Sequence, residues 1–364
     1  MCIAFWSPKN QLGYRLILAS NRDEFLNRPS LPANWHSFEP IDQSLLPVSA
    51  SAALEATSQS SNNDGLNTQK FAHEIISGRD SIAGGTWLGI DKQTGKFGFL
   101  TNVAHPRDHI VPDKEESDRS PQDRSPPASR GLIIQEFLQG SEGVESCINK
   151  LKSSRISKNM NGYNLVIGQI GKNENEQDRI AFFCNRNPEG IDDEFGGIIN
   201  HDLEGHNQGT SESTLVYGFS NGIAHRAPIW PKVTQGRYLM EDCLRKIQMN
   251  ANSLPVDPAD VETELFNLLS TTDDSTEDLP CNILIRPHHR LRTPGASASI
   301  ETWYATRTQT IVLVSQTTPT RITFVERDAF QIQHSNSPGD ELGKPVWMGD
   351  DCSCWRRFEF QLPS

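Results

Sequence analysis

The sequence predicts an α+β protein in which two packed β-sheets are flanked by helices. Three observations predict it. Two short apolar runs sit across a Pro/Gly-containing turn at the start of the chain, further β-rich runs recur between residues 86 and 326, and helical patterns fall into two pairs, at 129–153 and 231–270.

The first element is a hairpin. Cys2-Ile3-Ala4-Phe5-Trp6 and Tyr14-Arg15-Leu16-Ile17-Leu18-Ala19 are joined by Ser7-Pro8-Lys9-Asn10-Gln11-Leu12-Gly13, the pattern of two strands and a turn. Antiparallel pairing would return the polar cluster Asn21-Arg22-Asp23-Glu24 to the side of Cys2. Strands are next expected at 86–90, 97–102, 163–170, 180–185, 215–220, 302–306, 311–315 and 322–326. Helices are expected at 129–138, 144–153, 231–250 and 257–270. Pro231 suits a first helical turn, and Asp257-Pro258 reads as an N-cap followed by proline.

Residues 42–70 and 113–129 have the low-hydrophobicity composition that cannot offset ordering entropy, so they are expected as mobile insertions. Shorter polar inserts are expected at 171–178, 192–213, 271–278 and 334–344. A chain of 364 residues with 35% hydrophobic content buries a large core, and its length fits one domain with insertions or two domains. A net charge of -12 argues against nucleic acid and anionic membrane surfaces as partners. No apolar run approaches the roughly 20 residues of a membrane span, and no cleavable targeting segment is evident. Seven scattered cysteines suggest reduced thiols in a cytoplasmic setting. Cys352-Ser353-Cys354 is too closely spaced for a zinc knuckle, so no metal site is expected. No Cys-x-x-Cys-His haem-attachment sequence occurs, and Pro280-Cys281 reverses a Cys-Pro dipeptide.

Cys2 is the leading chemical candidate. Removal of Met1 would give one residue a thiol, with a free pKa near ~8.5, and an α-amine titrating near ~7.7–8.0, so the amine can take the proton of its own sulfur. A neighbouring carboxylate would orient that amine, and Arg22 would neutralise the second acid of the cluster. The alternative is a small buried cysteine that starts a core strand.

These residues carry a resemblance. Met1-Cys2-Ile3 with Leu16–Phe25 and Arg28-Pro29, then Gly84–Ile90, Leu100-Thr101-Asn102, Gly162–Leu165, Tyr217–Asn221, Trp230–Val233 and Thr306–Thr310 resemble, in order, the NRDE family, also called the Transport and Golgi Organization protein 2 family. The resemblance implies one domain over 1–364 with a four-layer αββα sandwich of the N-terminal nucleophile hydrolase type. It also implies links to Golgi organisation and secretion, to haem trafficking and to lipid or acyl-CoA metabolism, with Golgi or mitochondrial association.

By similarity to N-terminal cysteine hydrolases of the bile-salt and penicillin V acylase type, the resemblance implies a catalytic set of Cys2, Asn21, Asp23, Asn102, Asn221 and Arg307. Cys2 would attack an acyl carbon, Asp23 would orient the amine, Asn102 and Asn221 would donate to the oxyanion, and Arg307 would favour the thiolate. In that pattern an arginine precedes the Asn-x-Asp motif, whereas Ser20 stands here, so Arg22 or Arg307 must supply the charge. Arg22, Glu24, Trp87 and His105 are the binding candidates. Asn and Arg at strand ends also satisfy loop carbonyls, which is the competing structural reading. The expected reaction is cleavage of a non-peptide amide or related acyl bond, with no cofactor required. The alternative is a non-catalytic carrier of haem or an acyl lipid in the same cleft.

Overall fold

The computed structural model describes residues 2–41, 74–103, 129–172, 176–186, 215–223, 228–251, 253–292, 300–334 and 342–363. The expected insertions at 42–70 and 192–213 lie outside the described residues, as does nearly all of 113–129 and most of 334–344.

The apolar runs at the start of the chain form strands β1 (Ile3–Pro8) and β2 (Tyr14–Phe25), paired antiparallel with Ile3 opposite Asn21 and Pro8 opposite Leu16. The polar cluster is therefore the last third of β2 and not a loop after it. Chain order continues through β3 (Ser30–His36), β4 (Ile75–Asp80), β5 (Leu88–Asp91) and β6 (Lys96–Asn102). Helices α1 (Gly131–Gln139), α2 (Val144–Ser153) and α3 (Arg155–Asn159) precede β7 (Tyr163–Gln169), β8 (Arg179–Cys184) and the three-residue β9 (Tyr217–Phe219). Helices α4 (Pro231–Asn250) and α5 (Pro258–Leu269) are followed by β10 (His288–Arg292), β11 (Ile300–Ser315), β12 (Arg321–Asp328), β13 (Phe330–Gln333), β14 (Lys344–Trp347) and β15 (Trp355–Gln361).

The expected helix starts are present. Pro231 occupies the first turn of α4, and the Asp257 side chain accepts the Ala259 N–H at 2.9 Å to cap α5. Two expected strands, 302–306 and 311–315, are one continuous β11.

All strand pairs are antiparallel. One large sheet has the order β15-β12-β11-β2-β1-β9, with β10 added to β11; the second runs β3-β4-β5-β6-β7-β8, and β13 and β14 form a separate two-stranded sheet. Side chains on a strand alternate between its two faces, and β2 shows the consequence. Leu16 and Leu18 join Ala4 and Trp6 in an apolar cluster with Ile76, Ile90, Phe97, Phe99 and Val166 of the second sheet. Ile17 and Ala19 join Ile3 and Phe5 against Met240 and Leu244 of α4 and Leu265 and Phe266 of α5. On the far side of the second sheet, Ile134, Phe137 and Leu138 of α1 and Ile148 of α2 cover Leu165, Ile167 and Ala181. Trp6 couples the sheets: its ring stacks on Tyr217 at 5.3 Å and meets Phe99 edge-on at 5.4 Å. Each such buried side chain contributes about 1.5–3 kcal/mol. Among the described residues no helix is long and apolar enough to cross a membrane.

Two glycines let backbones approach closely. Gly236, inside α4, lies on the Phe5 ring, where a Cβ would come within 2.0 Å of a ring carbon. A Cβ on Gly85 would come within 2.4 Å of the Gly131 carbonyl carbon, and the Thr86 N–H donates to the Gly131 carbonyl at 3.3 Å. Gly85 thus seats the start of α1 against the turn before β5, where Gly84 has φ +76°. Replacement Gly85→Ala should cost about 1–3 kcal/mol by overpacking, read as a lower midpoint in denaturant unfolding. An unchanged midpoint would show that the backbone contact is not tight.

Candidate functional site

The site grows from the first strand pair. The register carries Cys2 one step past Ile3, level with Arg22, and on the same face as Ala4 and Trp6, between the sheets. Its thiol donates to the Asp23 backbone carbonyl at 3.7 Å, a carbonyl that also accepts the Tyr304 hydroxyl at 3.2 Å. The Cys2 carbonyl accepts from Ser220 Oγ at 2.6 Å. The Ser220 carbonyl in turn accepts from Thr101 Oγ1 at 2.7 Å and Asn164 Nδ2 at 2.9 Å. Side chains of β6 and β7 therefore hold the segment after β9 against the start of β1.

Cys2 opens on a cavity of about 170 Å³ whose wall includes Arg22, Glu24, Arg28, Trp87, Asn102 and Arg130, together with Asp23, Asp80 and the start of α1 at Gly131. The structure thus gathers Cys2, Arg22, Asp23, Glu24, Trp87 and Asn102 around one hollow. Arg22 is buried and its guanidinium stacks on Trp87, 3.9 Å from the ring centroid. Trp87 is a pocket wall. Glu24 accepts the Phe25 N–H at 2.9 Å and faces Arg28 at 3.8 Å, and Arg28 pairs with Asp80 at 2.7 Å.

Alternation along β2 places the other half of the cluster elsewhere. Asn21 is wholly buried toward α5: its amide donates to the carbonyls of Leu269 at 2.8 Å and Ile283 at 2.9 Å and accepts from Gln309 at 3.2 Å. It does not line the cavity. The Asp23 carboxylate accepts from Thr306 Oγ1 at 2.6 Å, and Thr306 itself accepts the Ile285 N–H at 2.8 Å.

Asn221 is buried beside Ser220 with its amide oxygen unbonded among the described residues, and it is not in the cavity wall. Arg307 also lies off that wall. Its guanidinium donates to the carbonyls of Leu26 and Arg28, bracing the turn after β2. Burial, and then the like charge of Arg22, pull it down to about 10. His105 lies outside the described residues.

Three neighbours escaped sequence reasoning. Arg28 and Arg130 stand on the cavity wall. Lys232 is fully buried under the first turn of α4; burial lowers its pKa, while the charges of Asp23 and Cys2 act in the opposite direction. Its signal was available: Lys232 precedes Gly236 and Met240 by four and eight positions, on the apolar stripe of α4. A lysine in that stripe calls for an internal counter-charge.

The site brings together the Cys2 thiol, the Asn102 side-chain amide and the guanidinium groups of Arg22, Arg28 and Arg130. Among the described residues no group of three or more His, Cys, Asp or Glu side chains stands ready to hold a metal ion. Burial is the main influence on Cys2 and raises its thiol pKa; Asp23 adds to the rise, and Arg22 offsets part of it. The group is protonated at neutral pH unless a base removes the proton. Alkylation of Cys2 by iodoacetamide should therefore climb with pH, with an apparent midpoint above the ~8.5 of a free thiol. A plateau already reached below pH 7 would contradict the burial argument.

Comparison with known proteins gives the same assignment along nearly the whole chain. The family model described as Transport and Golgi organisation 2 matches residues 1–48 and 64–331. The Transport and Golgi organization 2 homolog of Mus musculus is 27% identical over 337 residues, covering 90% of this chain and 92% of its own length. The Transport and Golgi organization protein 2 homologs of Homo sapiens, 26% identical with both chains fully covered, and Bos taurus, 25% identical over 336 residues, are similar in the same way. The chain belongs to the Transport and Golgi organisation 2 family.

Proposed function

We propose that this chain is an N-terminal nucleophile amidohydrolase that uses Cys2 to cleave a small non-peptide amide or related acyl bond. The observation that carries the proposal is that Cys2 lines a small polar cavity whose wall includes Asn102 and Arg22. The layering of helices outside two face-to-face antiparallel sheets supports reading the fold as the αββα sandwich of such enzymes.

In this mechanism, loss of Met1 frees the Cys2 amine to take the thiol proton. The sulfur then adds to the acyl carbon, the Asn102 amide donates to the oxyanion, and the proton passes to the departing amine. Water admitted to the cavity then adds to the thioester carbonyl as the Cys2 amine takes one of its protons; the C–S bond breaks, the acid leaves, and the Cys2 amine passes that proton to the sulfur. Asp23, fixed by Thr306, would orient the amine. Arg22 and Lys232 supply positive charge on opposite faces of β2, while Arg307 holds the turn that positions Arg28. The family description concerns transport and Golgi organisation, and acyl chemistry on a small metabolite is assigned to that setting.

A cavity of about 170 Å³ is below the roughly 300–1,000 Å³ of sites that engulf a drug-sized ligand, which favours a small acyl group over haem at Cys2. The carrier reading finds room elsewhere. A more apolar hollow of about 710 Å³ lies among α1, α2 and α3, lined by Leu132, Ile133, Phe137, Cys147, Leu151 and Met160. Spectral titration with haemin separates the readings: a shift that persists in Cys2→Ala would favour a carrier that does not use the thiol.

The hydrolase proposal predicts turnover of 4-nitrophenyl acetate that disappears in Cys2→Ala with the fold retained. Asn102→Ala should lose about 100- to 1,000-fold in kcat, the usual effect of removing one oxyanion donor. Wild-type turnover in Cys2→Ala would refute it.

A further inference from the structure

Among the described residues, one of the three guanidinium groups on the wall of the Cys2 cavity is paired with a carboxylate and two are not. Arg28 is paired with Asp80 at 2.7 Å and faces Glu24 at 3.8 Å. Arg22 is only 5% exposed, yet its one hydrogen bond among the described residues is a long one, Nη1 to Ser30 Oγ at 3.4 Å; its other contact is the face of Trp87. Arg130 makes one, from Nη1 to the Gly162 carbonyl at 3.0 Å. Among the described residues neither lies within 4.0 Å of a carboxylate oxygen.

The nearby acids are already engaged. Asp23 accepts from Thr306, Glu24 accepts from the Phe25 N–H and faces Arg28, and Asp80 holds Arg28 and accepts the N–H groups of Ile82 and Ala83. A guanidinium carries five N–H donors, and burying its charge without an anion is costly. Ring stacking offsets only part of that cost. The start of α1 at Gly131 adds the positive end of a helix dipole to the same wall, with no acidic residue in its first turn and no side-chain cap.

We infer that the Cys2 cavity contains an anion subsite, formed by Arg22 and Arg130, that takes the carboxylate of a short anionic acyl substrate. The volume sets the size class: about 170 Å³ is below the roughly 300–1,000 Å³ of sites that enclose a drug-sized ligand. That admits a carboxylate and a few carbons leading to the scissile carbonyl. The identification of the anion as part of the substrate rests on the hydrolase reading; the binding of a carboxylate beside Cys2 does not.

The test is calorimetric titration of the full-length protein with succinate and with succinamide, its neutral counterpart of similar shape. Succinate should bind at least about tenfold more tightly, and Arg22→Met and Arg130→Met should each weaken it by about tenfold or more, the loss of a charge-assisted hydrogen bond. Arg130 is less buried than Arg22, so its replacement carries the test if Arg22→Met does not fold. Cys2→Ala should bind succinate as the wild type does, so a failed hydrolase reading leaves this site standing. As a positional check, Cys2 should favour iodoacetate over iodoacetamide relative to glutathione, and the preference should fall in Arg130→Met. Equal affinity for succinate and succinamide, no succinate binding, or binding indifferent to both arginine variants would overturn the inference.

Discussion

The register of β1 on β2 is the constraint on which the rest of the site depends. With Ile3 opposite Asn21, the Cys2 sulfur falls on the inter-sheet face and reaches the Asp23 carbonyl. A slip of one residue would exchange every side chain between the two faces, sending the sulfur toward α4 and an isoleucine into the polar cavity. The register is held by apolar burial on both sides at once: Trp6, Leu16 and Leu18 lie between the sheets, while Phe5, Ile17 and Ala19 lie beneath the helices. Cys2 is therefore positioned by the same packing that makes the core.

The same alternation divides the polar end of β2 into two sets of duties. Arg22 and Glu24 belong to the cavity, whereas Asn21 and the Asp23 carboxylate turn toward the helical side. Asn21 ties the end of α5 and the loop at Ile283 to β11, and Gln309 extends this chain to Arg327, whose guanidinium lies 4.1 Å from the Phe266 ring. Consecutive residues of one motif thus link the Cys2 cavity on one face to a buried hydrogen-bond network on the other. Lys232, enclosed beneath the first turn of α4, places positive charge on the face that holds the Asp23 carboxylate.

Much of the fold was legible because its strongest signals are local. The opening hairpin, the bounds of α2 and α4, and the Asp257 cap follow from apolar period and end-residue chemistry. β11 was read as two strands because Arg307, Thr308, Gln309 and Thr310 look like a polar break, yet Gln309 is wholly buried and satisfied by Asn21 and Arg327. Strands β3, β4, β10, β13, β14 and β15 were not among those expected; in β3, β10 and β15, Pro32, the basic run His288–Arg292 and the charged sequence Trp355–Gln361 obscure the apolar alternation. At the site, adjacency to Cys2 was legible through the hairpin. The face each residue takes was not, since it depends on register, and Arg130 arrives from a helix whose seat depends on the contact between Gly85 and Gly131.

The most direct test of the central claim is peptide mapping after brief exposure of the native protein to an activated acyl ester. The account predicts a single acyl group on a peptide that begins at Cys2, with Met1 absent and the exposed Cys352 unmodified. Acylation of Cys352 with Cys2 left untouched, or a peptide that still begins at Met1, would contradict it.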